Sequence, residues 1–132
     1  MPTWHDLRSA LLDGYQVVDA DERIVTIRID GTNGRHQDVW ITDQAPEGHP
    51  EWIQVESLFA AVTPQALMTA IQYIGEEQCG ALGLARITNY AVVRWTTRVE
   101  GITVPYFLAM VDTVAGHADH LEAAISGGAD RF

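Results

Sequence analysis

The last third of the chain constrains its fold more than any other part. Ala91–Val99 alternates as a half-buried strand does, with Val93, Trp95, Thr97 and Val99 on one face. Glu100-Gly101 reads as a turn, and Val104–Ser126 as a long amphipathic helix entered through a cap and a proline. Phe107, Val111, Val114, Ala118, Leu121 and Ile125 line one side of that helix, while Asp112, Asp119, His120 and Glu122 lie largely on the other. The same strand-into-helix device occurs upstream, where Trp52–Phe59 runs into Thr63-Pro64. A chain built this way reads helix, strands, helix, strands, helix.

A length of 132 residues and a hydrophobic fraction of 47% suit one domain with a real core, so a single domain over residues 1–132 is expected. No apolar run approaches the roughly 20 residues that cross a bilayer. Met-Pro-Thr-Trp-His-Asp carries neither a basic region nor an apolar segment, so no secretory signal is expected. The single Cys79 forms no internal disulfide, and a cytoplasmic setting follows as the expectation. A net charge of -10 repels nucleic acid, and the arginines are scattered singly apart from Arg94 and Arg98 on one strand. Neither nucleic acid nor membrane is therefore an expected partner. The chain has no lysine, which excludes Schiff-base, phosphate-loop and kinase-type lysine chemistry.

Thr3 to about Asp13 is expected to be helical, with Thr3 and Asp6 as a capping box and Trp4, Leu7, Ala10 and Leu11 as its apolar stripe. Gly14 suits a left-handed residue just past its end. Tyr15–Val18 reads as a short strand and Asp19–Glu22 as an acidic turn. Arg23–Asp30 and Arg35–Thr42 read as a hairpin around Asp-Gly and Asn-Gly, with Val25, Ile27, Ile29, Val39 and Ile41 inward. Glu51–Ala60 adds a strand with Ile53, Val55 and Phe59 inward, after a loop rich in proline. A helix over Thr63–Ile74 carries Leu67, Met68, Ile71 and Ile74 at helical spacing, and Gly75 or Gly80 ends it. Ala81–Thr88 is the remaining strand, and Gly127–Phe132 reads as a frayed tail.

Site chemistry is sparse. His117 and His120 sit three apart on one helix face, beside Asp119, and two such histidines are able to ligate a metal. No HExxH or Cys/His pattern completes the set, and the plainer reading is a solvated face near a helix C-terminus. Asp19, Asp21 and Glu22 lack the calcium-loop pattern. Ser9, Ser57 and Ser126 lie in no nucleophile elbow, Cys79 reads as a small buried hydrophobe, and Glu76 and Glu77 diverge on their helix. No catalytic residue, metal site or cofactor is expected.

Four tryptophans are notable in so short a chain. Trp40 and Trp52 have the opposite parity to the inward residues of their strands, which puts both on the outer face of the sheet with Ile24 and Leu58. These four form the expected partner-binding patch, an apolar surface for another polypeptide or a second subunit.

The element order resembles the type III secretion chaperone-like fold. More specifically, the chain is similar to the YbjN-like family of small bacterial proteins, described as regulators of sensory transduction. The likeness is carried by the strand Ala91–Val99 and by the closing helix from Val104 to Leu121, with its Ala118-Asp119 and Leu121. It implies a non-enzymatic domain, often a homodimer, that binds other polypeptides along apolar strand and helix surfaces.

The expected architecture is α+β, an antiparallel sheet of about five strands with three helices in the order α-βββ-α-ββ-α. The expected function is polypeptide binding in a chaperone-like or regulatory role, with acidic residues at the rim. Two other readings compete: a metal-dependent or small-molecule enzyme centred on His117, Asp119 and His120, and a small acidic immunity or inhibitor protein.

Overall fold

Thr3 closes the start of the first helix. Its hydroxyl accepts the Asp6 N–H at 3.3 Å while the Asp6 carboxylate accepts the Thr3 N–H at 2.8 Å, the reciprocal bonding of a capping box. This helix, α1, spans Trp4–Gly14 in the computed structural model, which describes residues 2–31, 33–45, 48, 52–76 and 82–126. Gly14 is its last helical residue and is not left-handed. The cap is Tyr15, which is extended and leads straight into a strand, so no reversal of the chain is needed there.

That strand is β1 (Gln16–Ala20), and it pairs antiparallel with β2 (Ile24–Asp30). The acidic turn between them is held by Asp21, whose carboxylate accepts the N–H groups of Arg23 and Ile24, both at 2.7 Å. Trp4 Nε1 donates to Glu22 O and Arg8 Nε to Asp21 O, which ties α1 to this turn. β3 (His36–Asp43) returns from β2 through Asn33 and Gly34, both with positive φ, as the Asn-Gly signal predicts. β4 is Trp52–Ala61, α2 is Pro64–Glu76, β5 is Leu82–Ile87, β6 is Tyr90–Arg98 and α3 is Val104–Ser126. Thr63 and Thr103 cap α2 and α3, accepting from Ala66 N and Tyr106 N.

The described strands form one six-stranded antiparallel sheet in the order β1-β2-β3-β4-β6-β5. The expected count of about five is short by one, and the element order is α-ββββ-α-ββ-α. The strand missing from that count and order is β1, which the sequence suggests over Tyr15–Val18 and the structure places at Gln16–Ala20. Every one of its residues is exposed, so it has no inward apolar periodicity to mark it as a full member of the sheet.

All three helices lie on one face. The core is a single cluster joining Val25, Ile27, Val39, Ile41, Ile53, Val55, Val93 and Trp95 of the sheet to Leu7 and Leu11 of α1, Ala66 and Ala70 of α2, and the buried side of α3. α3 lies over β4, β3 and β6, while α1 and α2 flank it. α2 does not bury the bulky residues that fall at helical spacing along it. Its small Ala66 and Ala70 face the core, with Tyr73 packed against it, whereas Leu67, Met68 and Ile71 are exposed, Met68 at 69% and Ile71 at 60%. Cys79, Gly80, Glu77 and the tail Gly127–Phe132 lie outside the described residues.

Candidate functional site

Among the described residues, no helix lies over the opposite face of the sheet. Register places Thr26, Trp40, Glu56 and Arg94 in one row across β2, β3, β4 and β6, and Ile24 faces Thr42. Trp52 faces Arg98, and Leu58 faces Val92. Ile24, Trp40, Trp52 and Leu58 therefore share this uncovered side. Ile24 and Trp52 are exposed, Trp52 at 37%, while Trp40 and Leu58 are half-buried. The Arg98 guanidinium sits 5.7 Å from the centre of the Trp52 ring, in cation–π range.

The face is mixed rather than continuously apolar. Arg94 donates to Glu56 from Nε at 2.9 Å and Nη2 at 2.7 Å, and Gln54 Nε2 donates to the same carboxylate at 2.8 Å. Arg28 grips Asp38 with both Nε and Nη2. The tryptophans are thus set among matched ion pairs, which hold their own charge and fix their own geometry. The face combines hydrogen-bonding groups with apolar surface.

The His117–His120 region is arranged differently from its expectation as a solvated face. His117 is buried, and its Nδ1 meets the Tyr73 hydroxyl at 2.7 Å. His120 is exposed and stacks on the Tyr73 ring, with centroids 4.4 Å apart and planes at 16°. Asp119 and Glu122, expected largely on the solvent side, are buried. The reason is the place of α3, which is covered on its flanks as well as beneath. Asp119 pairs with Arg35 from the β2–β3 loop, Nε to Oδ1 at 3.1 Å and Nη2 to Oδ2 at 3.3 Å. Among the described residues, no group of three or more His, Cys, Asp or Glu is arranged to hold a metal ion. Ser57 is fully buried and donates its hydroxyl to Asp38 O at 2.7 Å.

Two features escaped the sequence reading. The exposed ridge of α2 was legible in principle, because Ala66, Ala70 and Tyr73 make a second stripe that a helix buries more closely than a bulky one. The Arg35–Asp119 pair has no local signal, since its members lie 84 positions apart.

No family model and no curated protein matches the chain. A solved structure described as "Structure of the HopA1-SchA Chaperone-Effector Complex" contains a similar chain, with a TM-score of 0.51 and 16% identity over 92% of this chain and 86% of that one. The likeness establishes the fold: the chain shares its α+β architecture with a component of a chaperone–effector complex.

Proposed function

We propose that this domain binds other polypeptides, in a chaperone-like or regulatory role and without catalysis, through the uncovered face of its sheet. The observation that carries the reading is the placement of Ile24, Trp40, Trp52 and Leu58 on the side that no helix among the described residues covers. Covering that area removes apolar surface from water at about 25 cal/mol per Å². Tryptophan and arginine are the side chains that most often dominate such contacts, and Trp52 and Arg98 sit together here. Asp38 and Glu56 already hold arginines, so the selecting charge comes from the rest of an acidic surface on a chain of net charge -10. The fold shared with a component of a chaperone–effector complex supports a partner that is itself a polypeptide. The narrower likeness to the YbjN-like family, and a cytoplasmic place in a secretion pathway, belong to this proposal too. The described residues contain no helix long and apolar enough to cross a membrane.

The protein acts as a homodimer in this reading. Leu67, Met68 and Ile71 form an apolar ridge on α2 that its own core leaves outside, and a second copy supplies a matching ridge.

The test is capture from the native cell with the immobilised protein and with a Trp40→Ser/Trp52→Ser variant, read by mass spectrometry. The variant is expected to keep its circular dichroism and melting temperature while losing specific partners. Unfolding of the variant, or undiminished capture by it, sinks the reading.

A further inference from the structure

We infer that the cavity between the β2–β3 hairpin and α3 receives one cationic side chain, an arginine or lysine, of the bound polypeptide. The inference rests on the polypeptide-binding reading only for the source of that cation.

The cavity measures about 780 Å³ and is lined by Asp30 and Gln37 from the hairpin, Asp112, Asp119 and His120 from α3, and Tyr73 from α2. That volume is large enough for a guanidinium or ammonium group with its methylene stem. Three carboxylates line it against one guanidinium, Arg35, and that guanidinium is already gripped by Asp119 through two hydrogen bonds. The charge of Arg35 is thus matched by Asp119, which leaves Asp30 and Asp112 as a net negative lining. A cation meets carboxylates in surplus.

A second observation points the same way. Gln37 is 1% exposed, and its Oε1 has no hydrogen-bond partner among the described residues. Its Nε2 donates to Leu58 O, which fixes which way the amide faces. The atom left over is an acceptor, and what completes it is a donor. Asp112 is held in place by the Tyr15 hydroxyl, which donates to Oδ1 at 2.7 Å, while Oδ2 receives no hydrogen bond among the described residues. Beside the Asn33 amide and the His120 ring, which carry donors, the unengaged groups of the lining are acceptors.

The remaining wall suits a cation as well. Tyr73 is fixed from two sides, by its bond to His117 and by its stacking on His120, and it presents an aromatic surface to the cavity. Gly31 keeps the floor open. A Cβ there would fall 2.5 Å from Asp119 Oδ1, so any larger residue would push the carboxylate out of place. The acidic groups are spread around the walls and form no metal cluster among the described residues, which favours an organic cation over a bare ion.

The experiment is titration of the ¹⁵N-labelled 132-residue chain with N-acetyl-arginine amide, with N-acetyl-citrulline amide as the uncharged shape control and putrescine as a free diamine. Saturable shifts at the Gly31, Asn33 and Gly116 amides are expected with the arginine compound and not with citrulline. An Asp30→Asn/Asp112→Asn variant, which keeps shape and acceptors, is expected to fold normally and to bind about tenfold more weakly. An equal response to citrulline, no saturable response, or shifts confined to another surface overturns the inference. Tighter binding of putrescine than of the arginine compound assigns the cavity to a free amine and removes the side-chain claim. Capture from the cell separates the two readings. If Asp30→Asn/Asp112→Asn retains partners that the tryptophan variant loses, the cavity claim falls and the sheet face stands. If the tryptophan variant retains every partner and still binds arginine amide, the reverse holds.

Discussion

Asp119 on α3 holds Arg35 of the β2–β3 loop through two parallel contacts of 3.1 and 3.3 Å, and both side chains are buried. A pair of this kind is costly to break from one side, because the remaining charge stays out of water. Asp119→Ala is expected to lower stability by about 3–5 kcal/mol in urea unfolding. Replacing both members with apolar residues of similar size is expected to restore most of that loss. Equal damage from the single and the double replacement would show that the pair contributes more than its own compensation.

Gly31 and Asp119 are expected to be coupled. A Cβ at Gly31 meets the carboxylate at 2.5 Å, so Gly31→Ala is expected to cost about 1–3 kcal/mol in the natural chain. In an Asp119→Ala background the obstruction is gone, and the cost is expected to fall below about 1 kcal/mol. A double-mutant cycle by urea denaturation reads this directly, and additive costs contradict it.

The α2 ridge is expected to govern self-association. Met68→Asp and Ile71→Asp replace exposed side chains, so monomer stability is expected to change by no more than about 0.5 kcal/mol. Light scattering after size-exclusion chromatography is expected to show a dimer for the natural chain and a monomer for the double variant. A monomer in both cases removes the dimer from the proposal.

Alkaline pH is expected to destabilise the protein through Tyr15. Burial, and then the hydrogen bond and charge of Asp112, push its hydroxyl well above the ordinary tyrosine value of 10.0. The folded state thus keeps a proton that the unfolded state releases. Stability is full below that ordinary value and declines as the pH rises through it, by up to about 1.4 kcal/mol per pH unit. Melting temperatures between neutral and strongly basic pH should fall less steeply for Tyr15→Phe than for the natural chain.

At the acid end, the capping box is expected to matter. The backbone and hydroxyl of Thr3 hold the Asp6 carboxyl below its usual range. Its contribution is present above that range and is lost as the pH falls through the lowered value. Thr3→Val, which removes the hydroxyl, is expected to move the Asp6 titration upward in a carboxyl-detected NMR experiment.

Much of the fold could be read from the chain because its signals are local. Thr3 with Asp6, Thr63-Pro64 and Asn33-Gly34 each fix a boundary within a few residues, and the structure has a cap or a turn at each. Parity assigned Val25, Ile27, Ile53 and Val55 to the core for the same reason. β1 was harder, since an exposed edge strand has no buried face to shape its pattern. The acidic cavity was out of reach altogether. Its parts come from a hairpin, from α3 and from α2, and only the packing of the three brings Arg35, Tyr73 and Asp119 together.

The border strand β1 has one more consequence. Its pairing slips between Val17 and Asp19, and a carboxylate stands at that kink. A bent, negatively charged margin is a poor template for stacking further copies side by side, so filament growth from this end of the sheet is disfavoured.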